Sequence, residues 1–255
     1  MDDIINSKRE TLAKRKKHTP LEKFFHRIHQ SKNHIFNSHN KGMPFHLIIE
    51  VSTNHINEQS LKDIIPSCIG LSIDTSNLEV LHTRQHLLDL KEIYPNLPII
   101  QNDLIIDPYQ IYESRFQLMD HIALHLNDIS SSDLLSFILL SREQNMRTIL
   151  KVHNEAEIDK TIETPVKLIE IDESSLINQG LNLDQIIDLA QKVPQEKLII
   201  SRVINPTIED LHRLKEAEIN CVILPIDADV IKNPQFLKIF PKINSFKSEE
   251  NLSPL

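Results

Sequence analysis

Apolar residues in this chain follow two alternating rhythms. Eight short runs are apolar at nearly every position: "FHLIIEVS" (45–52), "IGLSID" (69–74), "LPIIQND" (97–103), "HIALHL" (121–126), "RTILKVH" (147–153), "KLIEID" (167–172), "KLIISRV" (197–203) and "NCVILPI" (220–226). Runs of this length, rich in Ile, Leu and Val, predict strands buried on both faces, as in a parallel sheet covered by helices. The segments between them, such as "TRQHLLDLKEIY", "DPYQIYESRFQL", "SSDLLSFILLSREQ", "EAEIDKTIE", "LDQIIDLAQKV" and "TIEDLHRLKEAE", repeat apolar residues at three- and four-residue steps. That spacing predicts amphipathic helices. Ser132-Asp133 is a predicted helix start, and Thr207 with Asp210 has the spacing of a capping box. Eight strand-then-helix units predict an α/β fold, a closed (β/α)8 TIM barrel. A doubly wound open sheet is the alternative, disfavoured because no Gly-rich phosphate loop follows the first strand.

The barrel is expected over residues 44–255, in a chain of one domain overall, with an N-terminal helical extension over residues 1–43. In the extension, "INSKRETLAKRKKHTPLEKFFHRIHQ" is helical in pattern, and Lys8, Arg9, Lys14, Arg15, Lys16 and Lys17 form a basic patch. Pro20 falls at a break or in the first turn of a second helix. The patch reads as a solvated helix face or, more sharply, as a docking surface for an acidic protein partner. Phe24 and Phe25, with Phe36 and Phe45, are expected to pin this leading helix over the base of the barrel.

Charge and composition narrow the function classes. A net charge of −8 and a pI near 5.9 argue against a nucleic-acid binder, which needs a basic face. No apolar run approaches the roughly 18 residues of a membrane span, and the start "MDDIINSKRE" is charged. Cys68 and Cys221 have no CxxC spacing, so packed thiols in a reducing, cytoplasmic setting are expected. The pairs His82/His86, His121/His125 and His26/His29 lack a third ligand at useful spacing, so no metal is expected. Glycine occurs only three times, as Gly42, Gly70 and Gly180, so the chain is short of the residue that lets backbone approach phosphate.

The order of a basic helix, "PLEKFF", a strand ending in Glu50, "LPIIQNDLIIDPYQIYESR", "LKVHNEAEID" and "ISRVINPTIEDLHRLKEAEINCVIL" resembles indole-3-glycerol phosphate synthase. That family is the (β/α)8 lyase of tryptophan biosynthesis, and the likeness covers essentially the whole chain. The most specific stretch is "DPYQIYE", found in the family as "KDFIIDPYQIYEAR". The family closes an indole ring by decarboxylation and dehydration of a carboxyphenylamino-deoxyribulose phosphate, and needs no cofactor. Lysines and glutamates at the C-terminal ends of its strands carry the acid–base work.

The resemblance implies roles that the residues here do not match. On strand 1 the family has Glu-x-Lys; this chain keeps Glu50 but has Ser52 in place of the lysine. On strand 3 the general-acid lysine is Asn102, and an amide cannot donate a proton in that role. On strand 5 the family's glutamate is Lys151, and on strand 6 its asparagine is Asp172, with Ser174 replacing an arginine. On strand 7 "SESGI" becomes Ser201-Arg202-Val203, losing a glutamate at Arg202 and, with it, the glycine. At the phosphate site, Pro225 and Asp227 replace a glycine and a serine, and His55-Ile56-Asn57 replaces a serine-proline-serine. Proline removes a donor and aspartate repels the dianion, so phosphosugar binding is in doubt.

The expectation is a degenerate homologue, catalytically inactive, with a structural or protein-binding role. The alternatives are a divergent lyase of the same type, or a new activity built on Lys151 and Glu50. Glu50, Asp103, Lys151, Asp172, Glu173, Arg202 and Asp227 are all expected at the strand ends, with Lys151 and Arg202 neutralising Glu50 and Asp172.

Overall fold

A computed structural model describes residues 2–25, 44–52, 61, 63–76, 80–173, 182–233 and 235–240. Eight strands, β1 (His46–Ser52), β2 (Gly70–Asp74), β3 (Ile99–Asn102), β4 (His121–His125), β5 (Arg147–Val152), β6 (Leu168–Asp172), β7 (Leu198–Arg202) and β8 (Cys221–Pro225), coincide with the eight predicted runs. Each pairs in parallel with the next, and β8 returns to β1, with His46 beside Cys221 and Glu50 beside Pro225, so the barrel is closed. The described helices are α1 (Asp2–His18), α2 (Glu22–Phe25), α3 (Val80–Ile93), α4 (Pro108–Phe116), α5 (Ser131–Glu143), α6 (Glu155–Ile162), α7 (Leu183–Ala190) and α8 (Ile208–Glu216).

Strand alternation divides the side chains into two sets. Leu47, Ile49, Val51, Leu71, Ile73, Leu150, Ile169, Ile171 and Val222 face the helices and form the main core. Ile48, Ile100, Ile149, Leu168, Ile200 and Ile223 face the barrel axis and fill its lower half. Burial of each such side chain contributes about 1.5–3 kcal/mol, so both sets stabilise the barrel. Cys68 and Cys221 are buried and unbonded, and burial pushes the Cys68 thiol up to about 12.

The helices start and stop on local chemistry. Asp107, Asn154, Asn182 and Thr207 cap α4, α6, α7 and α8, the last two as capping boxes. The cap of α5 is Ser130, two residues ahead of the Ser132-Asp133 start expected from sequence, because the Ser130 hydroxyl accepts from the Asp133 amide. Three helices end in the left-handed conformation without glycine: Leu118, Asn145 and Glu218 have φ of 71°, 56° and 60°. Each follows its helix in a Schellman arrangement; after α8, for example, Glu218 N donates to Lys215 O at 3.1 Å and Ile219 N to Leu214 O at 3.2 Å. Among the described residues the glycine is Gly70, where a Cβ would meet Pro98 O at 3.1 Å.

The leading helix does not sit over the barrel base, as Phe24 and Phe45 suggested. Phe24 packs on Tyr109 and Phe116 of α4, with ring centroids 5.3 and 5.1 Å away, while Phe45 stacks on Phe240 elsewhere. Leu12, Phe24, Tyr109 and Phe116 make a small core of their own. The basic patch faces this contact too: Lys8 pairs with Asp103 at 2.5 Å, Arg15 with Glu113 at 3.1 Å and Lys16 with Asp107 at 2.6 Å. The cations therefore hold α1 against the loop and helix that follow β3, and half of the patch is already occupied.

Candidate functional site

The upper half of the barrel interior is polar. Glu50 (β1), Asn102 (β3), Lys151 (β5), Glu170 (β6) and Arg202 (β7) point to the axis, each two residues above an apolar residue of the lower layer, with Ser72 (β2) in register with Glu50 and Asp172 (β6) two residues above Glu170. Parallel register puts Glu50 beside Ser72, Lys151 beside Glu170, and Asp172 beside Arg202.

Arg202 is the hub. Its Nε lies 3.0 Å from Glu170 Oε1 and 3.8 Å from Asp172 Oδ1, its Nη2 donates to Ser72 Oγ at 3.3 Å, and its Nη1 pairs with the Glu50 carboxylate. Lys151 Nζ sits 3.0 Å from Glu170 Oε1 and 2.9 Å from Asp172 Oδ2. Asn102 Nδ2 donates to Glu50 Oε1 at 2.9 Å. The side chains of Lys151, Glu170 and Asp172 are each 2% exposed or less, and that of Arg202 is 5% exposed. Charges so deeply buried are tolerated only when paired and hydrogen-bonded. Burial works against the Arg202 charge, but Glu170, Glu50 and Asp172 outweigh it and raise its pKa.

Two histidines adjoin the cluster. His125, at the end of β4, stacks on His153 with centroids 6.2 Å apart. Burial and then the nearby Lys151 charge lower the His125 pKa to about 3, so the ring is neutral. His153 Nδ1 lies 3.2 Å from Glu157 Oε2, which also accepts from the His153 amide at 2.9 Å. Burial lowers the His153 pKa, but its bond to Glu157 prevails and raises it.

Several expected site residues lie elsewhere. Asp103 follows Asn102 and points the opposite way, out of the barrel, where it pairs with Lys8 and accepts from Thr75 Oγ1 at 3.4 Å. Alternation along a strand requires that division. Glu173 Oε2 accepts from Ile204 N at 2.8 Å, outside the cluster. Val203 is buried in the core between strands and helices. Pro225 ends β8 beside Glu50, and Asp227 is exposed in the turn that follows. Ser52 closes β1 in register with Asp74. Ser174 and His55 to Asn57 lie outside the described residues, as do His26, His29 and Phe36.

Lys151 and Glu50 are not partners; Arg202 takes Glu50, and Lys151 takes Glu170 and Asp172. Glu170, central to both cations, was absent from the expected site, although its position two residues before Asp172 places both on one strand face. His82 and His86 both lie in α3. Among the described residues, no three His, Cys, Asp or Glu side chains are grouped to hold a metal ion, and no helix is long and apolar enough to cross a membrane.

The profile described as "Indole-3-glycerol phosphate synthase" matches residues 1–226. The chain belongs to the indole-3-glycerol phosphate synthase family. Relatives bearing that name include those of Polaromonas naphthalenivorans, 31% identical over 51% of this chain and 49% of its own, and Legionella pneumophila (strain Lens), 30% identical over 62% and 60%. A "Tryptophan biosynthesis protein TrpCF" of Buchnera aphidicola subsp. Schlechtendalia chinensis is 27% identical over 79% of this chain and 45% of its own. The matched segment spans about half the length of the first of these relatives. Similar folds occur in the tryptophan synthase complex of Pyrococcus furiosus, at TM-score 0.56 and 10% identity, covering 71% of this chain and 87% of that one. Thiamine phosphate pyrophosphorylase of the same organism reaches TM-score 0.57 at 10% identity, covering 76% of this chain and 94% of its own. At such identity these two likenesses speak for the barrel alone.

Lys151 stands on β5 and Arg202 on β7. The lysine and arginine then meet Glu50, Glu170 and Asp172 across the axis.

Proposed function

We propose that this chain is a catalytically inactive member of the indole-3-glycerol phosphate synthase family, kept for a structural or protein-binding role. The observation that carries the reading is the Arg202 side chain, which engages Glu50, the one catalytic carboxylate retained, and ties it to Glu170. A carboxylate held by an arginine and by Asn102 is a poor proton carrier, and a general acid–base group typically contributes about 10²–10⁴ in rate. Lys151 is likewise occupied: with two carboxylates within 3.0 Å, its ammonium is a poor nucleophile or base. Pro225 and the exposed Asp227 at the end of β8 oppose a phosphate dianion there.

Titration calorimetry with the family's carboxyphenylamino-deoxyribulose phosphate tests the reading at the mouth. No saturable heat is expected into the millimolar range. Micromolar binding would overturn the claim that the site is closed to this substrate.

A further inference from the structure

A broad cleft lies at the end of the barrel opposite the charged mouth. It is a cleft of about 1180 Å³ beneath the N-terminal ends of β1, β6, β7 and β8, walled by the α7–β7 and α8–β8 loops and floored in part by Phe45 and Phe240. We propose that this cleft is a docking site for an acidic, apolar-anchored peptide segment of a partner protein. The proposal deepens the binding role suggested above by naming a surface and the chemistry of its partner.

Charge is the first support. Four lysines line the cleft (Lys167, Lys197, Lys215 and Lys238) against two glutamates, Glu196 and Glu218, in a chain of net charge −8. Lys167, Lys215 and Lys238 are exposed, and none has a carboxylate partner among the described residues. Elsewhere on the outer surface, Lys192, Lys232 and Arg213 are each paired with an acid. Lysines that outnumber the acids of the cleft and have no carboxylate partner among the described residues are what an oppositely charged partner complements.

Rigidity is the second. Lys197 is buried, its ammonium donating to Thr161 O at 2.7 Å and Val166 O at 2.9 Å, which ties β7 to the end of α6. Asn220 Oδ1 accepts from Ile199 N at 2.7 Å, joining β8 to β7. Phe45 and Phe240 are stacked at 5.4 Å. A preorganised wall loses little entropy when a ligand docks. The volume exceeds the roughly 300–1,000 Å³ of small-molecule pockets, which favours several residues of extended chain over a single metabolite.

The test uses fluorescence anisotropy with a fluorescein-labelled Glu-Glu-Phe-Glu-Leu-Glu peptide and the full-length protein. Saturable, salt-sensitive binding is expected, weakened at least about tenfold in a Lys167→Glu/Lys215→Glu/Lys238→Glu variant and unchanged in Lys14→Glu/Lys17→Glu. Circular dichroism checks folding; should the charge reversals unfold the chain, the three Lys→Gln changes carry the same comparison. No saturable binding, equal weakening in the α1 variant, or displacement by inorganic phosphate as readily as by unlabelled peptide would each overturn the proposal. None of these outcomes bears on substrate at the mouth, which the calorimetry reads separately.

Discussion

The two halves of the barrel interior use the same strands and the same face, yet they are built from different physics. Below, Ile48, Ile149, Leu168 and Ile200 fill the axis with aliphatic carbon. Two residues further along each strand, Glu50, Lys151, Glu170 and Arg202 fill it with charge. The lower layer needs only volume and shape, and many aliphatic sets satisfy it. The upper layer needs each charge to find its counterpart, so a change at one position demands a change at another. Here the cations stand on β5 and β7, and the carboxylates Glu170 and Asp172 of β6 meet them.

If that contrast holds, the two layers respond differently to single substitutions. Arg202→Met leaves Glu50, Glu170 and Asp172 with Lys151 as their remaining cation, and is expected to cost about 3–5 kcal/mol in urea unfolding at neutral pH. Carboxylates left unpaired in the interior bind protons more tightly folded than unfolded, so this variant regains stability as pH falls. Ile200→Ala, one step down the same strand, should cost about 2–4 kcal/mol through its cavity, with the same loss at pH 5 and pH 7. Equal pH dependence for the two variants would erase the distinction.

A further effect separates the layers by titration. His125 has its pKa lowered to about 3 in the folded chain against 6.5 for a free imidazole. Between those values the unfolded chain binds the proton and the folded chain does not. Its contribution is therefore present above the unfolded pKa and is lost as pH falls, by up to about 1.4 kcal/mol per pH unit. A His125→Gln variant should show a shallower acid slope than the wild type; an unchanged slope would mean that this ring is not held neutral. Smallest of all, Glu218→Gly should stabilise by roughly 0.5–1 kcal/mol, read as a rise in Tm, because glycine accepts the φ of 60° that glutamate resists.

Much of this was legible in the chain itself. Apolar runs located all eight strands because burial on both faces leaves a nearly unbroken apolar signature. Asn102, Lys151, Asp172 and Arg202 could be placed at the mouth because strand ends follow from those runs. Glu170 was not, since an acid in the middle of the apolar run "KLIEID" looks like a strand interruption until its neighbours across the axis are known. Asp103 was misplaced because sequence adjacency to Asn102 hides the reversal of side-chain direction. The purpose of Lys8, Arg15 and Lys16 was hidden too, because their partners lie 95, 98 and 91 residues away. Nor does any pattern announce the basal cleft, which stretches of chain far apart in sequence build together.

If the barrel persists without the family's reaction, the purified protein incubated with the family's carboxyphenylamino-deoxyribulose phosphate gives no indole-product fluorescence above the enzyme-free rate, and none after Glu50→Gln. Turnover by the wild type that disappears in Glu50→Gln would overturn that reading.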